Sequence, residues 1–322
     1  MKEVFDVAII GAGAAGLTLA KNLDSLLKVV LFDKKSVPHD RIACAEWVPP
    51  MFPIEPVVKT DSMVTSYDNQ VVENKFYGKI IDRESWQKDL LTSIGQNVTV
   101  KTGELVTKVT NNTVETKSKK YHAKLIVGAD GPISVVRMSF GLPISPVLPA
   151  INVRLRVKRN LTNTLVHFMT EIEKGYGWYF PKGDVANVGV GATSNLRNAL
   201  LFYVDFLKKR GLVEGQMTNH AAGLIPLFPL TAAVSDSVVL VGDAAGLTDP
   251  VTGAGINQAY DSALELAKII NSGKSVDRYD KYITKMYGRF LERRHSRRKA
   301  FEDGWGNLKK AVEDSWISFS QA

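Results

Sequence analysis

The first residues able to do chemistry are glycines with an acid behind them. Gly11-Ala12-Gly13-Ala14-Ala15-Gly16 follows an apolar, β-branched run at residues 4–10 and opens Leu17 to Leu23, whose apolar spacing suits a helix. Strand, glycine turn and helix in this order make a pyrophosphate cradle. Gly11 permits the tight turn, Gly13 lets the backbone approach the phosphates, and Gly16 lets the helix lie close to the strand. The helix amino terminus then faces the negative charge. A second apolar run, Val29-Val30-Leu31-Phe32, ends at Asp33, about 20 residues on, where a carboxylate accepts the ribose hydroxyls of an adenosine. The carboxylate argues against a 2′-phosphate, so FAD or NAD fits better than NADP. A glycine turn present for steric reasons alone is the alternative.

Two more strands end the same way. Residues 125–137 run from Leu-Ile-Val into Gly128-Ala129-Asp130-Gly131, with Ser134 and Arg137 following. Residues 238–255 run from Val-Val-Leu-Val into Gly242-Asp243 and on through Pro250 to Gly253-Ala254-Gly255. Each acid stands just beyond the carboxyl end of a strand, the edge at which open α/β sheets bind ligands. A helix beginning at Ile256-Asn257 would aim its amino terminus at a ligand carrying negative charge. No second strand-borne GxGxxG exists, so no separate domain for a nicotinamide nucleotide is read here.

Between these motifs lies Tyr176-Gly177-Trp178-Tyr179-Phe180-Pro181, then Lys182-Gly183-Asp184 and Val185 to Gly191. A strand over 176–180 puts Tyr176, Trp178 and Phe180 on one face. The Lys-Gly-Asp turn folds 185–191 back as a hairpin partner, and Gly189 and Gly191 are expected to leave open volume opposite the aromatic row. Such a face lines either a tunnel for a long apolar ligand or a sheet core.

The middle and last motifs resemble the DG and GD signatures of the glutathione-reductase-type FAD fold in its hydroxylase branch. The pattern YxWxFP, seven residues, then GxG resembles the signature of the geranylgeranyl reductase family. Those flavoenzymes saturate isoprenoid double bonds in archaeal membrane lipids and in chlorophyll and tocopherol precursors. The four motifs span residues 9 to 263 in the family's order. The resemblance implies FAD held by Gly11, Gly13, Ala14, Ala15, Gly16, Asp33, Lys34, Arg41, Ala43, Arg83, Asp130, Gly131, Gly242, Asp243, Pro250, Gly253, Ala254, Gly255 and Ile256. Asp243 is implied to hydrogen-bond the ribityl chain. It also implies a prenyl cavity lined by Tyr176, Trp178, Phe180, Pro181, Gly189 and Gly191. Cys44 is the candidate catalytic residue, as a gate or proton donor; a small buried hydrophobe is the alternative. No metal site is read. Where the family usually has glycines after this cysteine, the chain has Ala45-Glu46-Trp47, and its stretch after Ala263 is shorter than in many members.

Reduced flavin can deliver a hydride to one alkene carbon while a proton goes to the other. Because an isolated trisubstituted alkene accepts hydride poorly, the proton must lead or accompany it, and aromatic faces would stabilise the cation that develops. A monooxygenase or halogenase of the same fold is a second reading, and a prenyl-binding escort without catalysis a third.

The architecture expected is α/β: a Rossmann-like FAD-binding domain (1–60, 82–140 and 231–292), an inserted antiparallel β-sheet substrate domain (61–81 and 141–230) and a short helical carboxyl terminus (293–322). The 322 residues, 45% hydrophobic and 23% charged with a single cysteine, exclude a disordered chain and a disulfide scaffold. No run of about eighteen apolar residues and no leader precede the first strand, so a cytoplasmic protein is expected. Of the net charge of +8, +7 lies between Lys274 and Lys310. There Tyr279, Tyr282, Ile283, Met286, Tyr287, Phe290 and Leu291 follow helical spacing, beside a face of Arg278, Lys281, Lys285 and Arg289. Three readings fit this helix: a solvated side, peripheral contact with an anionic membrane, or docking of an acidic, ferredoxin-like electron carrier in place of NAD(P)H. Nucleic acid is set aside for want of a binding module. Phe301, Trp305, Leu308, Val312, Trp316 and Phe319 continue as a second amphipathic stretch, expected to cap the substrate mouth.

Overall fold

The computed structural model describes residues 4–317. The chain forms two compact units, one of residues 1–40, 84–147 and 226–293, the other of residues 41–83, 148–225 and 294–322. Residues 41–60, grouped in sequence with the cofactor domain, and 294–317, grouped as a tail, therefore count with the second unit.

The first unit is built on a mostly parallel sheet. Its order is Ala233–Ser235, Val238–Leu240, Lys120–Gly128, Val4–Ile10, Val29–Asp33 and Val98–Thr102, with a hairpin of Val106–Val109 and Thr113–Thr116 added beside Lys120–Gly128. Val7, Ala8, Ile9, Val29, Val30 and Leu31 are all within 1% of full burial, as continuous apolar runs require when both sheet faces are covered. The helix Ala14–Asn22 packs against the helix Ile256–Asn271. A Cβ on Gly16 would run into the Gly11 carbonyl, and one on Gly11 (φ +103°) into the carbonyl of Ala129. These two glycines let strand, turn and helix close on one another.

The second unit is an eight-stranded sheet in the order Val213–Pro226, Val147–Val157, Val185–Gly191, Tyr176–Lys182, Thr164–Phe168, Val58–Tyr67, Gln70–Ile80 and Trp47–Val48. The hairpin forms as its spacing predicts, with Trp178 opposite Gly189 and Tyr176 opposite Gly191. Alternation then gives the sheet two chemically different faces. On one, Tyr179, Val188, Val190, Val153 and Leu155 pack under the helix Leu196–Lys209, and Gly177 admits the ring of Tyr203, with which a Cβ would collide at 2.7 Å. On the other stand Tyr176, Trp178, Phe180 and Lys182.

The basic segment is not one regular helix. It runs as Asp277–Ile283, a π-helical turn Thr284–Gly288, and Arg289–Asp303. Tyr279, Ile283 and Leu291 are buried and Arg278, Lys281, Lys285 and Arg289 are exposed, as the pattern predicts, but Met286 and Phe290 are exposed too. Arg294 and Arg298 are buried, and Arg298 donates to Glu302 at 2.7 Å and to the Lys174 carbonyl at 2.8 Å. Beyond it, Leu308–Val312 and Glu313–Ile317 bury Leu308, Val312 and Trp316 along with Phe301. Phe319 lies outside the described residues.

Candidate functional site

In the first unit the glycine turn is held by the acid that follows it. Asp33 accepts the amide of Ala12 on Oδ2 and that of Lys35 on Oδ1, both at 2.7 Å. Gly13 stands apart from its neighbours: a Cβ there would meet no atom of the described residues within 4 Å. Packing therefore does not explain Gly13, whereas close approach of a phosphate does. Lys34 is exposed, and Ala14 and Ala15 are buried in the first turn of the helix.

The DG and GD strand ends come together within this unit. Asp130 accepts the Val136 amide at 3.3 Å on Oδ2, while its buried Oδ1 has no hydrogen-bond partner among the described residues. Burial pushes its pKa up to about 6. Gly131 follows at φ +78°, and Ser134 caps the short helix Val135–Ser139 by accepting the Arg137 amide. Arg137, fully buried, donates to the carbonyls of Pro143 (2.7 Å) and Ala244 (3.0 Å) and stacks 4.2 Å over Phe228, so it ties one motif to the other. Gly242 and Asp243 begin a turn in which Thr248 donates to Asp243 at 2.6 Å. The loop Pro250–Gly255 closes on Asp249, which accepts the Val251 amide and the Thr252 hydroxyl and whose carbonyl accepts the Gly253 amide. Ile256 opens the long helix with no capping side chain among the described residues, leaving first-turn N–H groups to a ligand. The open Gly13, the unpaired Asp130 oxygen and the uncapped helix start all fit a dinucleotide carrying phosphates and an electron-rich ring.

In the second unit the aromatic face has a charged end. Along Tyr176–Lys182, Tyr176 and Trp178 are 8% exposed and Phe180 is half-buried. The expected trough opposite them is filled: a Cβ on Gly189 would lie inside the Trp178 indole, whose Nε1 donates to Asn152 at 3.0 Å. Gly189 is thus a seat for Trp178 rather than open volume, and Gly191 lies against Leu148. Two residues past Phe180, Lys182 donates to Oε2 of Glu46 at 2.7 Å, as does Asn187. Oε1 accepts the Arg83 amide at 3.0 Å, and the Arg154 guanidinium lies 3.6 Å away. Glu46, 3% exposed and at φ +65°, also donates its own amide to the Cys44 sulfur at 3.2 Å. The loop carrying half-buried Cys44 is therefore locked to the hairpin by a buried carboxylate. Arg41 is exposed at φ +50°, and Ala43 lies against Gly223.

Glu46, Lys182, Asn187, Arg154 and Asn152 were not singled out from sequence. The signal available was that Lys182 continues the period-two row 176, 178, 180.

The chain matches no protein-family model. It is 31% identical to an uncharacterized protein of Methanosarcina barkeri over 91% of this chain and 79% of that one. It is 28% identical to a digeranylgeranylglycerophospholipid reductase of Methanococcus vannielii, over 92% and 84%. In structure it resembles a geranylgeranyl bacteriochlorophyll reductase-like protein of Thermoplasma acidophilum, with a TM-score of 0.80 at 22% identity covering 96% and 89%. It also resembles PqsL of Pseudomonas aeruginosa, a probable FAD-dependent monooxygenase, with a TM-score of 0.71 at 15% identity covering 97% and 99%. Cradle, strand-end acids and relatives together define an FAD-dependent oxidoreductase. Within that class the chain belongs to the geranylgeranyl reductase family.

Three outcomes follow. Gly13→Ala leaves unfolding free energy within about 0.5 kcal/mol of wild type but lowers flavin content on purification, whereas Gly16→Ala lowers both, read by urea melts and visible absorbance. For Asp130 the folded pKa lies above the unfolded one, so its cost to stability is absent below about pH 4 and complete above about pH 6. Asp130→Asn should then stabilise the flavin-free protein at pH 8, by up to about 3 kcal/mol, and barely at pH 4. Lys182→Met takes the nearest cation from the buried Glu46 carboxylate, leaving it Asn187, the Arg83 amide and the more distant Arg154, and costs up to about 3 kcal/mol; Lys182→Met with Glu46→Leu costs clearly less than the two single changes added.

Proposed function

We propose that this oxidoreductase saturates isoprenoid double bonds of a lipid or lipid precursor, adding two hydrogens to each. The observation that carries the reading is the aromatic row on one face of the hairpin, ending in a locked, cysteine-bearing loop. An apolar polyene is the substrate that such a row suits, and the reductase names of the relatives support it.

When bound and reduced, FAD supplies the hydride. This chain's residues supply the rest. Gly11, Gly13 and Gly16 with Asp33 hold the adenosine and pyrophosphate, and Asp130, Asp243 and the start of the helix at Ile256 hold the remainder. Tyr176, Trp178 and Phe180 bed the prenyl chain, exclude water and present ring faces to an alkene carbon gaining positive charge. The Cys44 sulfhydryl delivers the proton, held in place by the Glu46 amide, and is reprotonated from solvent. Electrons come from NAD(P)H or a ferredoxin-like carrier in transient contact; the exposed face of Arg278, Lys281, Lys285 and Arg289 suits an acidic carrier or an anionic membrane surface. Among the described residues no helix is long and apolar enough to cross a membrane.

The test is anaerobic. Photoreduced holoenzyme is mixed with a geranylgeranyl lipid while the flavin spectrum is followed and the product is weighed. Flavin reoxidation with a gain of two hydrogens per double bond is expected, and slowed by Cys44→Ala. A hydroxylated product under oxygen would assign a monooxygenase instead, and a purified protein without a flavin spectrum an escort.

A further inference from the structure

The aromatic row is closed at one end by the chain itself. Register puts Thr65, Tyr67, Val166 and Phe168 on the same sheet face as Tyr176 and Trp178. The segment Leu308–Ile317 lies on that part of the face. Trp316 donates to Thr65 at 3.2 Å, and its ring stands 5.2 Å from Phe168 and 5.0 Å from Tyr176. Phe301 meets Phe168 from the same side at 5.6 Å, and Tyr67 donates to Glu313 at 3.2 Å. The segment is anchored, since Leu308, Ala311, Val312, Ser315 and Trp316 are all buried. At the row's other end stand half-buried Phe180 and the cluster of Lys182, Glu46, Asn187 and Arg154.

We infer that Trp316 is a specificity-determining stop: it fixes how far a prenyl chain advances along the row, and hence which double bond is reduced. The inference rests on the prenyl-reduction reading above. An amphipathic substrate orients on a face that is charged at one end and apolar at the other. Its polar head faces the end of Lys182 and Arg154 without being anchored there, and its hydrocarbon end runs past Phe180 and Trp178 toward Tyr176 until it is stopped. There it meets an indole held by a hydrogen bond and two aromatic neighbours, Phe168 and Tyr176, which cannot yield as a lone aliphatic side chain would. With the reacting point fixed by the Cys44 loop, depth of insertion becomes position of reduction. Replacing the indole by a methyl group lets the chain slide deeper and brings bonds nearer the head to the same point.

The experiment compares wild type, Trp316→Phe and Trp316→Ala as holoenzymes, with geranylgeraniol as the probe at limited turnover. Saturated positions are read by tandem mass spectrometry, and binding of dansyl-labelled geranyl, farnesyl and geranylgeranyl alcohols by fluorescence polarisation. Trp316→Ala should move the first saturated bond toward the head and tighten the geranylgeranyl probe at least fivefold relative to the geranyl one, with Trp316→Phe in between. Unmoved positions and an unchanged chain-length profile in variants with wild-type far-ultraviolet dichroism and flavin absorbance would overturn the stop alone. If Trp316→Ala does not fold, the same comparison is decided on Trp316→Phe. A wild type that neither binds nor reduces any probe would overturn the functional reading, and the stop with it.

Discussion

The indole of Trp178 lies where a side chain at position 189 would be, and much of the second unit depends on that one exchange of volume. Once Trp178 is seated over Gly189 and tied to Asn152, the alternation of a strand leaves no choice about its neighbours. Tyr176, Phe180 and Lys182 must share its face. Asn187 and Arg154, paired across the sheet, must stand beside Phe180. A slip of one residue would turn the aromatic row into the helix Leu196–Lys209 and bury Tyr179 and Gly177 where the row now stands. The motif spacing YxWxFP and GxG is thus a statement about register before it is one about ligands.

The charged end of the row depends on the same register. A buried carboxylate with lysine, arginine and asparagine around it adds little net stability over a well-packed apolar cluster, because desolvation cancels most of the attraction. What it adds is uniqueness. Only one placement of the Cys44 loop satisfies both oxygens of Glu46 together with the backbone at Ile81 and Arg83.

The cofactor motifs were legible because each is local. A strand, a glycine turn and a helix occupy consecutive residues, and the steric reasons for Gly11 and Gly16 act across a few positions. The hairpin was legible for the same reason, from a period of two and a Lys-Gly-Asp turn. The Glu46 cluster was not, since its partners lie 136 and 141 residues away and no local rule brings them together. The expected glycine trough is filled, because a glycine in a sheet can mean a large neighbour across the strand as readily as open space. In the basic segment the count of formal charge was right, but Arg294 and Arg298 are buried, and burial depends on packing from distant parts of the chain.

Asp33 has a consequence of a different kind. Each of its oxygens already accepts one backbone amide, from Ala12 and Lys35, so the glycine turn is shaped before any nucleotide reaches it. An arriving nucleotide need not order that loop, and the entropy it would otherwise surrender, about 1–2 kcal/mol per residue fixed, stays in its affinity.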